Sequence, residues 1–271
     1  MTKLPIRTVE KPWGKDVLPA PFTAPEGQRI GEIWFEPPAD VPSLLIKYIF
    51  TSEKLSVQVH PSDEQAAASG ETEATGYGGK EECWLVIDAE PGATLGVGFT
   101  GDVDADTMRK AALDGSIEDM LVWHPVKAGD FFYIPANTVH AIGAGVSLIE
   151  IQQNSDITYR LYDYGRPREL HLDKGIAVSK GEVLAPALHK HIPDHGTVEL
   201  ASGKYFTAHR VEGVPDAAIR SAYPGPLLVI PRQGEVCLGG EVLRPGDCAS
   251  APGLDALTLP ADGQYILVRA A

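Results

Sequence analysis

The chain has 271 residues, of which 44% are hydrophobic, and a formal net charge of -14 at pH 7. A chain of this length can bury a full core as one large β-domain or as two smaller ones. The acidic balance argues against nucleic acid and anionic membrane surfaces as partners, because both require clustered Lys and Arg. No apolar run approaches the ~18 residues of a membrane span, and residues 1–5 lack the apolar core of a signal peptide, which predicts a cytoplasmic protein.

The 28 glycines and 22 prolines separate many short apolar runs, a pattern that is typical of an all-β sandwich or barrel. Helical signals are few. Ser62 should cap a short helix, and residues 104–113 should form a second helix that ends at Gly115, after which Ser116 starts a further turn or two. The predicted fold class is therefore all-β with a few short helices. Composition predicts strands at residues 43–50, 55–60, 82–87, 131–134, 139–142, 146–152 and 157–162.

A weak internal repeat aligns residues 84–87 with residues 227–230. The second copy has Gly225 where the first has Glu82, so it cannot carry the same chemistry. Chance similarity between two β-modules is the alternative, because the match is short. The repeat predicts two modules, a catalytic N-terminal module with helical insertions over residues 1–180 and a degenerate C-terminal module over residues 181–271.

Three short segments together hold the ligand types of one divalent metal site. Gln58 and His60 lie in the first, Glu82 in the second and His140 in the third. Alternate side chains share one face of a strand, so Ser56, Gln58 and His60 point the same way. Burying such a polar face unpaired costs about 1–3 kcal/mol per group, so we expect it to line a cavity. The same alternation groups Lys80, Glu82 and Trp84, then Glu150 and Gln152, then Thr158, Arg160 and Tyr162.

His60, His140 and Glu82 match the nitrogen and oxygen ligands of a borderline divalent ion, and Gln58 is a weaker neutral fourth ligand. A single histidine on a strand is more often a satisfied core or surface residue, and a single glutamate is more often solvated. Their joint placement on separate predicted strands favours a metal site.

The segments that carry these residues resemble the motifs of the type I phosphomannose isomerase family. This family comprises zinc enzymes that interconvert mannose 6-phosphate and fructose 6-phosphate on a cupin scaffold. The resemblance runs from Trp13 to Lys174, roughly the first two thirds of the chain. Its motifs are residues 55–61 (LSVQVHP), 79–84 (GKEECW), 129–145 (GDFFYIPANTVHAIGAG) and 149–164 (IEIQQNSDITYRLYDY).

The resemblance implies two cupin-like jelly-roll modules, with the second degenerate, and an isomerase that takes a sugar phosphate. The zinc ligands that it implies are Gln58, His60, Glu82 and His140. The active-site residues that it implies are Arg160, with Lys47, Ser56, Lys80 and Glu150 around the sugar phosphate.

Aldose–ketose isomerisation moves a proton between C2 and C1 through an enediol, whose charge a divalent ion can stabilise as a Lewis acid. A general base must reach C2, and it contributes on the order of 10²- to 10⁴-fold in rate. Glu150 is the first candidate, and His60 or a lysine such as Lys80 is the rival. Four protein ligands would close a tetrahedral zinc site, so we expect Gln58 to be loosely held or the ion to become five-coordinate.

Two other functions remain open on the sequence. The chain could be another cupin metalloenzyme, an oxygenase or an epimerase, in which His60, Glu82 and His140 hold iron or manganese and Gln58 stays uncoordinated. It could also be a non-catalytic cupin that binds a sugar phosphate in the same cavity. For a phosphate dianion to bind to a protein of such negative charge, cations such as Lys47, Lys80 and Arg160 must converge at the site, whether the protein is an enzyme or a sensor. The sequence sets no oligomeric state.

Overall fold

The computed structural model describes residues 2–271, which form 21 strands and six α-helices. The strands are β1 (Thr2–Lys3), β2 (Ile6–Lys15), β3 (Ile30–Phe35), β4 (Leu44–Phe50), β5 (Val57–Val59), β6 (Glu82–Ala89), β7 (Thr94–Phe99), β8 (Leu121–Pro125), β9 (Asp130–Ile134), β10 (His140–Ile142), β11 (Val146–Gln153), β12 (Tyr159–Tyr162), β13 (His189–His191), β14 (Val198–Ser202), β15 (Phe206–Glu212), β16 (Leu227–Gln233), β17 (Val236–Leu238), β18 (Glu241–Leu243), β19 (Ala249–Ala251), β20 (Leu257–Thr258) and β21 (Gln264–Ala270). The helices are α1 (Asp63–Ala68), α2 (Glu71–Thr75), α3 (Ala105–Asp114), α4 (Ile117–Met120), α5 (Leu172–Val178) and α6 (Ala217–Ala222), with 3₁₀ turns at Pro186–Leu188 and Leu254–Ala256.

The strands pair antiparallel in four sheets. Sheet I has the order β13-β9-β6-β11-β4-β3-β2, and sheet II has the order β12-β5-β10-β7-β8. Sheet III has the order β1-β19-β16-β21-β15-β14, and sheet IV has the order β18-β17-β20. The prediction of an all-β fold with a few short helices is confirmed.

Sheet I lies between sheets II and III, and its central strands are buried on both faces. On one face Tyr48 packs in a cluster with Phe206 of sheet III. On the other face Trp84 and Leu148 pack with Leu95 of sheet II. Every residue of β3 and β4 is buried, as is usual for strands that are covered on both sides. The space between sheets I and II is the one that holds the candidate site.

Helices α1, α3, α4 and α5 pack against the outer face of sheet II, whereas α6 packs with sheets III and IV. Ser62 and Gln65 form a reciprocal capping box at the start of α1. Asp104 caps α3 through Thr107 N, and α3 ends at Gly115, whose φ of 88° is left-handed. The predicted short helix at Ser62 and the predicted helix before Gly115 are confirmed.

Strands cross the predicted boundary at residue 180 in both directions. β1 pairs with β19 in sheet III, and β13 pairs with β9 in sheet I. The division into modules 1–180 and 181–271 stays a prediction. None of the helices in residues 2–271 has the length and apolarity needed to cross a bilayer.

Candidate metal centre and active-site cavity

Three predicted ligands meet between sheets I and II. Glu82 begins β6 in sheet I, whereas His140 begins β10 and His60 directly follows β5 in sheet II. Their candidate ligand atoms all lie within 4.8 Å of one another, and all three residues are buried. Oε1 of Glu82 lies 3.8 Å from Nε2 of His60 and 3.6 Å from Nε2 of His140.

The backbone orients both imidazole rings toward this cluster. Nδ1 of His60 lies 2.9 Å from the carbonyl oxygen of Ile157, and Nδ1 of His140 lies 2.9 Å from that of Thr138. A carbonyl only accepts hydrogen bonds, so each Nδ1 carries the proton and each Nε2 presents a lone pair. Metal-bound histidines are held in the same way.

Burial keeps the two rings neutral. It lowers the pKa of His60 well below its ordinary value and lowers the pKa of His140 to about 4. Burial, together with the nearby Glu150 carboxylate, raises the pKa of Glu82. Within residues 2–271, Oε1 of Glu82 has no hydrogen-bond donor. Two imidazole lone pairs and an unsatisfied carboxylate oxygen therefore converge, which is the donor set of a divalent cation.

Gln58 borders the cluster through its amide. Its Nε2 lies 3.3 Å from Nε2 of His140, and its Oε1 accepts a hydrogen bond from Ser56 Oγ at 3.0 Å. Gln58 and His140 are also directly opposite each other across β5 and β10. A half-turn of the amide would present Oε1 to a metal, so Gln58 as the fourth ligand stays a prediction.

A cavity of about 220 Å³ opens beside the cluster. It gathers every residue that was predicted to bind substrate or to act in catalysis, namely Lys47, Ser56, Lys80, Glu150 and Arg160, together with Gln58. It also gathers residues that were not predicted as site residues, namely Lys11, Trp13, Glu32, Asp156, Thr158, Arg168 and His171. Glu32 could have been found from the sequence, because it is a single carboxylate within an apolar run.

Glu150 lies between two buried ammonium groups. Oε1 of Glu150 is 3.3 Å from Nζ of Lys47 and 3.5 Å from Nζ of Lys80, and Trp84 Nε1 donates to Oε2 at 3.1 Å. Burial would raise the pKa of Glu150, but Lys80 and Lys47 outweigh it and hold that pKa below its usual range. The carboxylate is therefore ionised at neutral pH.

Lys80 stays protonated in the same surroundings. Burial would lower its pKa, but Glu150 and Glu82 raise it above the ordinary value. Its Nζ lies 2.6 Å from Oε2 of Glu82 and 3.3 Å from Nε2 of His60. A lysine with a raised pKa is a stable positive charge and a poor base.

Arg160 offers a guanidinium without a carboxylate partner. It is half-buried on β12, and it forms no ion pair with any residue from 2 to 271. Burial, with the nearby Arg168, lowers its pKa. Arg168, by contrast, has a carboxylate partner, because its Nε and Nη2 donate to Asp163 at 2.6 and 2.7 Å. His171 accepts a hydrogen bond on Nδ1 from the Arg160 backbone N–H at 3.2 Å and lines the same cavity.

No protein-family model matches the chain. It is 37% identical to the mannose-6-phosphate isomerase of Streptococcus mutans over 215 residues. The matched segment covers 75% of this chain and 66% of that protein. The chain is 38% identical to mannose-6-phosphate isomerase ManA of Bacillus subtilis over 218 residues, a segment that covers 74% of this chain and 65% of that protein. The chain is a homologue of the mannose-6-phosphate isomerases. The matched segments span just under two thirds of the length of these curated isomerases.

The mannose-6-phosphate isomerase fold extends over the whole chain. The crystal structure of the mannose 6-phosphate isomerase from Bacillus subtilis superposes with a TM-score of 0.78 and covers 98% of both chains at 24% identity. The C-terminal third, which lacks the predicted motifs, therefore shares the fold of that isomerase.

Proposed function

We propose that this protein is a metal-dependent aldose–ketose isomerase that interconverts mannose 6-phosphate and fructose 6-phosphate, with Zn²⁺ as the metal. One observation carries the proposal: three buried acceptor atoms converge at the edge of a cavity that also holds Lys47, Lys80 and Arg160. A metal site and a cationic cavity are the two requirements of an isomerase that handles a phosphorylated sugar. The curated relatives carry the same activity in their names.

The proposed metal ligands are His60, Glu82 and His140, with the oxygen of Gln58 as the fourth. The bound ion would act as a Lewis acid toward the sugar oxygens at C1 and C2. Only three of these ligands are strong donors, so room for substrate remains beside the weak amide.

Arg160 is the proposed phosphate ligand. Its guanidinium can donate two parallel hydrogen bonds to phosphate oxygens, and no carboxylate competes for it within residues 2–271. Lys47 and Ser56 line the same cavity and supply further donors for the sugar.

Glu150 is the proposed general base. The rivals are weaker, because the lone pair of His60 on Nε2 is assigned to the metal while Nδ1 bonds a backbone carbonyl, and because Lys80 stays protonated. Glu150 is an ionised carboxylate on the cavity wall, and it can take a proton from C2 and return it at C1. Its lowered pKa makes it a weak base, so we expect Lys80 to contribute by stabilising the negative charge that develops on the enediol oxygens.

A coupled assay with mannose 6-phosphate tests the proposal. The metal-loaded protein should produce fructose 6-phosphate, and Glu150→Gln should reduce kcat by ~10²-fold or more while the protein stays folded. Glu118→Gln, at a surface ion pair with Lys54, is the matched control and should keep wild-type activity. Oxygen uptake without isomerisation would instead identify an oxygenase, and sugar phosphate binding without turnover would identify a sensor.

A further inference from the structure

Five side chains form one row across sheet I, on the face toward the cavity. Arg7 on β2, Trp34 on β3, Lys47 on β4, Glu150 on β11 and Trp84 on β6 are each directly opposite the next. Directly opposed residues in antiparallel strands are close enough for their side chains to interact. We call this set the ionic row, because three of its five members are charged and the other two are aromatic.

Each neighbour in the ionic row contacts the next. The guanidinium carbon of Arg7 lies 4.2 Å from the centre of the Trp34 ring, and Nζ of Lys47 lies 4.1 Å from the same ring. Lys47 continues to Glu150 at 3.3 Å, and Glu150 accepts from Trp84 Nε1 at 3.1 Å. Two tryptophans therefore flank the Lys47–Glu150 ion pair, one through its ring face and one through its N–H group.

Lys47 depends on these contacts because its ammonium is largely buried. The residue is only 3% exposed, so little of its charge is solvated by water. Apart from Glu150, the nearest carboxylate is that of Asp156 at 4.0 Å, whose side chain is mostly in solvent. An aromatic ring face stabilises a desolvated cation considerably more than an exposed one. Without the ring of Trp34, the ammonium would be free to turn toward Asp156 and the cavity mouth.

Trp34 is itself held in place by a residue of its own strand. Its indole N–H donates to Oε2 of Glu32 at 2.5 Å, and Oε1 of Glu32 lies 3.2 Å from Nζ of Lys11. Glu32 and Trp34 are both buried, at 8% exposure. The plane of the ring is therefore fixed before any ligand enters.

We propose that Trp34 is a positioning residue, whose ring face holds the Lys47 ammonium against Glu150 in the orientation that receives the sugar phosphate. The inference rests on the proposed function. It assigns to Trp34 no contact with the substrate, because Trp34 does not line the cavity whereas Lys47 does.

Substitution of the ring is the test, with steady-state kinetics on the metal-loaded protein and mannose 6-phosphate as the substrate. Trp34→Leu removes the aromatic face and should raise KM about 2- to 30-fold, with kcat within about 2-fold of wild type. Trp34→Phe keeps a ring face but not the N–H group, and should stay within about 3-fold of the wild-type KM. Trp123→Leu is the matched control, since the Trp123 ring faces Lys54 at 5.2 Å outside the site, and it should leave KM unchanged.

A double-mutant cycle separates positioning from general damage. If Trp34 acts through Lys47, the double variant Trp34→Leu/Lys47→Met should have the same KM as Lys47→Met alone. The inference would be overturned if the increases in KM of the two single variants added up in the double variant. A Trp34→Phe variant as impaired as Trp34→Leu would also overturn it. Trp34→Met replaces Trp34→Leu in the cycle if the leucine variant does not fold.

The two proposals fail in different ways. A wild-type protein that does not isomerise mannose 6-phosphate refutes the proposed function. A wild-type protein that isomerises it, with KM unchanged in Trp34→Leu, refutes only the role of Trp34.

Discussion

Lys80 and Glu82, two residues apart on one face of the chain, form a buried ion pair with 2.6 Å between Nζ and Oε2. The carboxylate therefore divides its oxygens, with Oε2 toward Lys80 and Oε1 toward the two histidines. A proposed metal ligand and a buried positive charge thus lie side by side, two residues apart in the sequence.

Lys80→Met should separate metal binding from catalysis. The substitution leaves His60, Glu82 and His140 in place, so metal content should equal that of wild type. The developing charge on the substrate loses a buried cation, and kcat should fall by ~10²- to 10³-fold. Elemental analysis and the coupled assay measure the two quantities. Lys54→Met is the surface control, and a Lys80→Met variant with kcat within threefold of wild type would contradict the role.

Arg160→Met should weaken binding of the sugar phosphate. The unpartnered guanidinium is the proposed phosphate ligand, and loss of a bidentate charged contact should raise KM by ~10-fold or more. Inorganic phosphate should inhibit the wild type competitively and should inhibit the variant much more weakly. Arg220→Met, at an exposed ion pair with Asp255, is the control. Equal inhibition of both proteins by phosphate would show that the phosphate binds elsewhere.

Sequence patterns anticipated the positions of residues and helices where the signal was local. Alternation along β5 placed Ser56 and Gln58 beside the cavity, and capping residues located α1 and α3. These features depend only on neighbours within a few residues.

Residues whose placement depends on distant pairing were not identified. β3 is buried on every residue, so its sequence shows no alternation and gives no sign that Glu32 and Trp34 face the cavity side. His171 is held at the cavity by a backbone hydrogen bond in which its N–H donates to the Arg160 carbonyl at 2.7 Å, although the two residues are eleven positions apart in the sequence. Strand register and such loop contacts are set by the assembled sheets rather than by local composition.

The free energy of unfolding should decrease as the pH is lowered, because of two half-buried histidines outside the site. Burial lowers the pKa of His124, helped by its neighbour His189, and burial also lowers the pKa of His189. The unfolded chain binds protons below about pH 6.5 while the folded protein resists them, so this stability is present above about pH 6.5 and lost as the pH falls. His189→Gln should therefore show a smaller decrease in the free energy of unfolding between pH 6.5 and 5. Urea unfolding at several pH values measures the difference, and identical slopes would contradict it.

Asp163 should be a major contributor to stability near the cavity. It is 2% exposed and accepts hydrogen bonds from Arg168 on both oxygens, at 2.6 and 2.7 Å, and from Arg166 at 3.1 Å. Asp163→Asn leaves the Arg168 guanidinium without its counter-charge, whereas Arg166 keeps Glu53 as a partner at 3.2 Å, and the substitution should cost about 3 kcal/mol of unfolding free energy. Asp255→Asn removes an exposed ion-pair partner and should change the free energy by less than about 0.5 kcal/mol. Denaturant unfolding compares the two variants, and similar values for both would contradict the account.

The central claim is that one metal ion, held by His60, Glu82 and His140, is required for turnover. The most direct measurement is a zinc titration of the chelated protein, with the rate of mannose 6-phosphate isomerisation followed at each addition. Activity should be absent after chelation and should rise in proportion to zinc up to one equivalent per chain, whereas Glu82→Gln should neither retain zinc nor recover activity. Full turnover by a wild-type protein with less than about a tenth of an equivalent of any divalent metal would contradict the claim.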